Sequence, residues 1–463
     1  MQINIPRLVI AGASSGVGKT TLLTGLLAAF SAQGVSVQSF KVGPDYIDPG
    51  FHQLASGKPS HNLDTWMVRP ADLGQVFCDA AQGAQLALVE GVMGLYDGGR
   101  TGISSTAAIA KWLQAPVVLV VNCRSMGESA AAVVLGFREY DRTVNLAGVI
   151  LNQVGSDTHE AILREAMDKI NMPVFGCVRR SADITLPERH LGLTPTAEVA
   201  AAASRIAAMR ALVEKSLDLP GLSALAKQAP LLSLPQDCGA PRTGEAVTVA
   251  IAEDEAFSFY YPSSLAFLER AGAKLIRFSP LRDSQLPPCD AVLLGGGFPE
   301  MFARELADNV SMRRALKQAA DAGLPIYAEC GGFMYLTEEL QDFDGQSYAM
   351  AGVIAGRSLM QKKLQTVGYV QATLRQNSVL GTAGTALRGH EFHFSVFEPH
   401  EADFPWGLTF EKNRDGSIYP GGFCRGNVLA SYLHINFLGN RPAAATFLQA
   451  AAAWRRKRGR DGQ

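Results

Sequence analysis

Ten residues near the start, "GASSGVGKTT" from Gly12 to Thr21, constrain this chain more than any other stretch. The apolar run Leu8–Ala11 before them reads as a buried strand, and Thr20–Ala32 after them has helical period. A glycine-rich turn between strand and helix, closed by Lys-Thr, is a phosphate-binding loop. Gly16 and Gly18 let backbone N–H groups turn toward phosphate oxygens, while the helix adds its N-terminal dipole. Lys19 is placed for the β- and γ-phosphates of ATP, and Thr20 for Mg²⁺. Gly12 and Thr21 complete the ATP-binding set. The usual loop has four residues between its glycines; here five separate Gly12 from Gly18, and Ala13 holds the usual first-glycine place.

The surrounding pattern fits an α/β fold of two domains. Leu8–Ala11, Val35–Phe40, Leu86–Glu90, Pro116–Val121, Ala147–Leu151 and Val174–Cys177 read as buried strands. Helical stretches such as Ser129–Arg138 and the Ala-rich 196–213 separate them, which predicts a parallel sheet with helices on both faces. Residues 1–214 form this first domain. Residues 215–246, rich in Pro, Ser and Gly, read as a linker. Strands restart at Val247–Ala252, Ala273–Phe278, Ala291–Leu294 and Pro325–Glu329, and crowd together after residue 345. Residues 247–455 are therefore a second α/β domain with a partly antiparallel sheet, followed by a basic tail, 456–463, expected to fray in solvent. At 463 residues the chain is too long for one core. A net charge of −1 gives no footprint for nucleic acid, and no run reaches the length of a membrane span. With no leader pattern and seven scattered cysteines that form no CxxC pair, a cytoplasmic location with reduced thiols is expected.

The long loop resembles dethiobiotin synthetase and its relatives. It has Ser14 where the ParA/MinD group carries a second lysine, so activation of a carboxylate is implied rather than a switch. Downstream residues suit that chemistry. Lys41 ends the second strand on the sheet edge where α/β proteins bind ligands. Asp45 and Asp48 follow in a loop broken by Pro44 and Pro49. Glu90 ends a buried strand on the same edge, and Asp97 lies in the glycine-rich loop after it; Asp48 and Glu90 are the expected metal ligands beside Thr20. Lys41, Asp45, Asp97 and Arg189 are assigned to the acidic substrate, Arg189 for bidentate pairing with a carboxylate. Asp64 is a weaker candidate. Asn152 is read in two ways, as a purine contact like that in dethiobiotin synthetase or as a turn residue.

The second domain has its own chemical signature, "PIYAECGGFMYL". Cys330 sits between a strand-like run and two glycines, so a strand-to-helix turn lifts the thiol clear of the sheet. The helix N-terminus is expected to lower its pKa. Gly331, Gly332 and the glycine turn at Gly296 offer N–H groups to an oxyanion. His434, in "SYLHINF", is the expected general base. Nucleophile, histidine and two glycine turns suit amide hydrolysis.

Both halves together resemble the cobyrinic acid a,c-diamide synthase family. The resemblance rests on "GASSGVGKTT", "FKVGPDYIDP", "EGVMGLYDG", "LPERHLGL", "LLGGGFPE", "AECGGFMYL", "GHEFHFS" and "SYLHINF", in order across nearly the whole chain. It implies a class I glutamine amidotransferase domain behind an ATP-dependent amide-forming domain. The implied partners are ATP, L-glutamine and cobyrinic or hydrogenobyrinic acid. Mg²⁺ is the cofactor expected at Thr20, Asp48 and Glu90, a closed passage for ammonia is a further expectation from the chemistry, and a homodimer is one assembly the sequence leaves open. Cobyric acid synthase, an amidase acting on nickel sirohydrochlorin, and a P-loop switch with a decayed amidotransferase domain are the alternatives. Many such amidotransferases carry a glutamate two residues after the histidine; here Asn436 stands there. Glu391 is a guess for the third member, and His390 and His393 stay unassigned.

Overall fold

The computed structural model describes residues 2–99, 102–180, 196–234 and 246–461. It divides into two compact units. The first holds the described residues up to Thr65 and those from Arg69 to 234; the second holds Trp66–Val68 and the described residues from 246 onward.

The first unit is built on a seven-stranded sheet in the order His61–Leu63, Val37–Val42, Leu86–Glu90, Arg7–Gly12, Val117–Asn122, Leu146–Val154, Val174–Arg179. Every neighbouring pair is parallel. All six residues of Arg7–Gly12 are buried, as a strand covered on both faces requires. The chain leaves Arg7–Gly12 toward one side of the sheet and Leu86–Glu90 toward the other. Ligands of α/β sheets bind at the carboxyl ends beside such a reversal, and the phosphate loop sits there. Register places Glu90 opposite both Ile10 and Lys41. The sequence reading missed the three-residue edge strand His61–Leu63, which is too short to show periodicity.

Residues 215–234 are no spacer. The helix Thr196–Ser216 runs into them, and a second helix, Leu219–Ala226, puts Leu222 and Leu225 into the core. Asp218 caps that helix by accepting from Gly221 N at 2.9 Å. Leu232–Ser233 then pairs antiparallel with Gln2–Ile3. Arg7, fully buried, ties the segment down: its guanidinium donates to Pro230 O at 2.6 Å, Leu113 O at 2.6 Å and Ile5 O at 3.1 Å. Pro220 and Gly221 lie in the first turn of the second helix, where a missing N–H needs no partner, so they do not keep the stretch extended.

The second unit has a ten-stranded sheet. Five strands are parallel, in the order Ala273–Phe278, Val247–Ala252, Ala291–Leu294, Ile326–Glu329, Val428–Ser431. The rest, Ile418–Arg425, Trp406–Lys412, Thr366–Leu374, Ala386–His393 and His434–Ile435, pair antiparallel, as the crowding of strands late in the sequence suggests. A four-stranded sheet lies beside it in the order Ser347–Ala349, Thr337–Gln341, Ile354–Met360, Ser395–Pro399. The basic tail does not fray at residue 456. The helix Arg441–Asp461 continues through it, with Arg458 donating to Cys289 O at 3.4 Å and lying 3.7 Å from Asp290. No helix among the described residues is long and apolar enough to cross a membrane.

Candidate active site

Each unit carries a site at the carboxyl ends of its parallel strands. In the first unit the phosphate loop opens onto a cleft of about 530 Å³, lined among others by Gly16, Gly18, Lys19, Thr20, Thr21, Lys41, Asp45, Asp48 and Glu90. Gly16 (φ +72°) and Gly18 (φ +98°) hold left-handed backbone that only glycine adopts without strain. A Cβ on Gly18 would also fall 2.5 Å from Asn152 Nδ2. That side chain braces the loop: it donates to Val17 O at 2.8 Å and accepts from Gln153 N at 2.8 Å. Asn152 is thus a strut of the phosphate loop as well as part of the cleft wall. Gly12 does not line the cleft. It closes the central strand where a Cβ would meet Val17 Cγ2 at 2.8 Å.

Below the loop lies a buried charge cluster. Thr20 Oγ1 donates to Glu90 Oε1 at 2.7 Å, and Lys41 Nζ reaches the same oxygen at 2.8 Å. Lys41 also donates to Asp48 Oδ2 at 2.5 Å and lies 4.0 Å from Asp45. His52 Nε2 binds Glu90 Oε2 at 2.7 Å, with Ser60 on its other nitrogen. Burial opposes charge on Lys41, yet Asp48, Glu90 and Asp45 together hold its ammonium well above the usual lysine range. Burial likewise works against ionised Glu90, and Lys41 and His52 reverse it, leaving that carboxyl depressed. Asp48 is pushed up by burial and by the charge of Glu90. Burial and then Lys41 lower Lys19, which donates to Met93 O at 2.6 Å. Lys41 thus faces Glu90, Asp48 and Asp45 together, and Lys19 lies within reach of Glu90 and Asp48 as well.

The same place gathers oxygen ligands suited to a cation. The donors present are a hydroxyl and two carboxylates, all hard oxygen. No cluster of three His, Cys, Asp or Glu side chains able to hold a metal occurs among the described residues. Mg²⁺, which keeps several waters and takes one or two protein carboxylates, fits this set.

Several expected placements change. Asp48 and Pro49 belong to the first turn of a helix, Ile47–Ser56, where proline is tolerated because its missing N–H needs no partner. Asp45 starts that helix, accepting from Ile47 N at 2.7 Å. Asp97 is exposed and is not among the cleft-lining residues; it accepts from Gly94 N at 3.0 Å and so shapes its own loop. Asp64 accepts from Ser104 Oγ at 2.9 Å. Arg189, with Glu188 and His190, lies outside the described residues. Two residues escaped the sequence reading. His52 orients Glu90, and its spacing of four from Asp48 on a helix was the available signal. Arg179, at the end of its strand, lines the cleft and pairs with Asp157 and with Glu160 at 3.1 Å.

In the second unit Cys330 ends the strand Ile326–Glu329 with φ 45° and ψ −99°, a conformation rare for a residue with a side chain. Its N–H is held by Ser431 O at 2.7 Å, and the helix Gly331–Leu336 follows. The thiol is lifted out of the sheet, but its pKa is not lowered. Burial, then the charges of Glu300 and Glu329, push it up, and only the Gly331 N–H works the other way. The resting group is a thiol that needs a base. Gly332 is not a donor to an oxyanion here, because its N–H goes to Gly295 O at 3.0 Å.

His434 reaches this corner through the Gly295–Gly297 turn. A Cβ on Gly296 would lie 2.5 Å from His434 Cε1, and one on Gly331 would lie 3.0 Å from Gly297 N. The imidazole and the nucleophile turn thus pack on the same glycines. His390 stands opposite His434 in the ladder, rings stacked at 4.9 Å. Glu391 is engaged by the Tyr419 hydroxyl and lies 3.8 Å from His393. Asn436 shapes a turn, donating to Ser263 Oγ at 3.1 Å and accepting from Leu438 N at 2.9 Å.

Residues 8–193 match the CobQ/CobB/MinD/ParA nucleotide binding domain, and residues 248–442 match the CobB/CobQ-like glutamine amidotransferase domain. With the two sites just described, these matches make the protein a glutamine-dependent amidating ligase that binds a nucleotide. More narrowly, the chain belongs to the cobyrinate a,c-diamide synthase family. It is 45% identical to the cobyrinate a,c-diamide synthase of Dehalococcoides mccartyi (strain CBDB1), with 96% of this chain and 98% of that one aligned. Identity is 43% to the enzyme of that name from Salmonella typhimurium, covering 96% and 97%. It is 42% to the hydrogenobyrinate a,c-diamide synthase of Streptomyces coelicolor, again covering 96% and 97%.

Proposed function

We propose that this protein converts the a and c acetate carboxylates of cobyrinate, or of its metal-free counterpart hydrogenobyrinate, to amides, using ATP and glutamine in cobalamin biosynthesis. The observation that carries the reading is the Lys41 ammonium, buried under the phosphate loop between Glu90 and Asp48. A carboxylate is a poor electrophile, and phosphorylation gives it a leaving group. Gly16, Gly18, Lys19 and Thr21 hold the triphosphate, and Lys19 follows charge onto the oxygens of the γ-phosphoryl group. Lys41, with Asp45 beside it, offsets the charge of the incoming acetate as its oxygen attacks the γ-phosphorus and ADP leaves. Thr20, Glu90 and Asp48 would hold Mg²⁺, which supplies further positive charge beside the phosphates. His52 keeps Glu90 aligned.

In the second unit His434 takes the Cys330 proton, and the thiolate attacks the side-chain amide of glutamine. The Gly296 and Gly331 N–H groups receive the oxyanion, and ammonia departs with the proton from His434. Water then releases glutamate from the thioester. Ammonia attacks the acyl phosphate, phosphate leaves, and an amide remains. Product mass spectrometry decides the reading: cobyrinate, hydrogenobyrinate and nickel sirohydrochlorin are each supplied with ATP and glutamine. Diamide from either of the first two supports it; diamide from the nickel compound alone, or from none, overturns it.

A further inference from the structure

The residue before the nucleophile, Glu329, is nearly as buried as the histidine, at 6% and 2% exposure. One of its oxygens is anchored: Oε1 accepts from the Tyr327 hydroxyl at 2.9 Å and from the Ile435 N–H at 3.1 Å. The other, Oε2, lies 3.6 Å from His434 Nδ1. Ile435 follows His434 directly, so the backbone carrying the imidazole is itself pinned to this carboxylate. Glu329 also sits in ladder register with Ser431, whose carbonyl fixes the Cys330 N–H. Carboxylate, thiol and imidazole are thus set by one stretch of sheet.

From this arrangement we propose that Glu329 is the positioning residue of the amide-hydrolysing site, acting on the substrate's amide only through His434. A carboxylate facing Nδ1 favours the tautomer with the proton on that nitrogen, leaving Nε2 free to take the Cys330 proton. When the imidazolium forms, the same carboxylate stabilises it. A separation of 3.6 Å before substrate binds accords with this, since catalytic hydrogen bonds often tighten only in the substrate complex. Asn436 has other duties in a turn, and Glu391 is held by Tyr419, so Glu329 is the carboxylate the fold directs at His434. The chain order is unusual for such a group, because it adjoins the nucleophile rather than the base.

The inference rests on the Cys330–His434 reading. Glu329→Gln keeps the shape and the acceptor oxygen for Tyr327 and Ile435 but removes the charge. In the full chain, glutamine-dependent ammonia release should fall about 100-fold in kcat with KM for glutamine little changed. The acidic limb of kcat/KM should move to lower pH, because the imidazolium loses its counter-charge. Glu329→Asp should recover part of the rate. Unchanged kcat and an unmoved limb in Glu329→Gln would overturn the role of Glu329. A wild type that releases no ammonia, or a Cys330→Ala protein that still does, would overturn the Cys–His reading instead. A measurement on the wild-type chain needs no variant to fold: selective ¹⁵N labelling of histidine, with His434 assigned by its loss in His434→Ala. A proton on Nδ1 at neutral pH supports the role, and a proton on Nε2 with bare Nδ1 ends it.

Discussion

Lys41 donates to Glu90 at 2.8 Å in a place where the ammonium is almost sealed from water and the carboxylate wholly so. Such a pair contributes little net stability, but removing one partner leaves the other charged and buried. Glu90→Gln should therefore cost about 3 kcal/mol in denaturant unfolding, moderated because Asp48 still faces the ammonium. Diamide formation from added ammonium should fall by about 10³-fold, as for removal of a preorganised electrostatic group. Glutamine hydrolysis, in the other unit, should persist. A normal diamide yield would remove Glu90 from the phosphoryl-transfer site.

Cys330→Ala separates the two chemistries. Glutamine-supported amidation should vanish, while amidation with ammonium as nitrogen source continues, because the thiol serves only to free ammonia. The paired assay with both nitrogen sources checks this. Loss of both activities in a protein with an unchanged melting curve would show that the thiol has a part in amide formation.

The chemistry-bearing corners were legible because their physics is local. A glycine-rich turn between strand and helix has few other uses, and Cys330 before two glycines marks a tight corner. The parallel strands were legible as short, mainly apolar runs, several to the residue, such as Val247–Ala252 and Ala291–Leu294. What escaped depends on contacts distant in sequence. Leu219–Ala226 looked like linker because it is short and carries Pro220, with Pro230 close behind; its docking rests on contacts distant in sequence, such as the Arg7 guanidinium on Pro230 O, over 200 residues away. Glu329 carried no signal of its own, since its relation to His434 crosses 105 residues and exists only once the sheet has formed. Asn152 was visible as a polar strand end, but its bond to Val17 O needed the folded loop.

Gly25 offers a test in which two effects oppose. In a helix interior, Gly→Ala ordinarily gains about 1 kcal/mol. Here, within Lys19–Ala32, a Cβ would fall 2.6 Å from Met209 O and 2.6 Å from Val213 Cγ2 on the helix Thr196–Ser216. Met209 O is backbone and cannot rotate away, so the helices must separate, and overpacking costs about 1–3 kcal/mol plus lost contacts. Gly25→Ala should lower stability by roughly 1–2 kcal/mol net of the propensity gain. A raised melting temperature would mean that the two helices yield without penalty.

Glu300 should make stability depend on pH in an unusual direction for a carboxylate. Burial pushes its carboxyl up from 4.5 to about 7. The folded chain then prefers the protonated form more than the unfolded chain does. The stability Glu300 contributes is fully present below about 4.5 and is lost as pH rises through about 7. Relative to Glu300→Gln, the wild type should weaken steadily across that interval and hold a constant difference above it. Denaturant unfolding at half-unit pH steps measures this, and a pH-independent difference would refute it. The same charge raises the Cys330 thiol. Alkylation of Cys330 by iodoacetamide should accordingly begin at lower pH in Glu300→Gln than in the wild type, with wild-type behaviour in the variant ruling out the coupling.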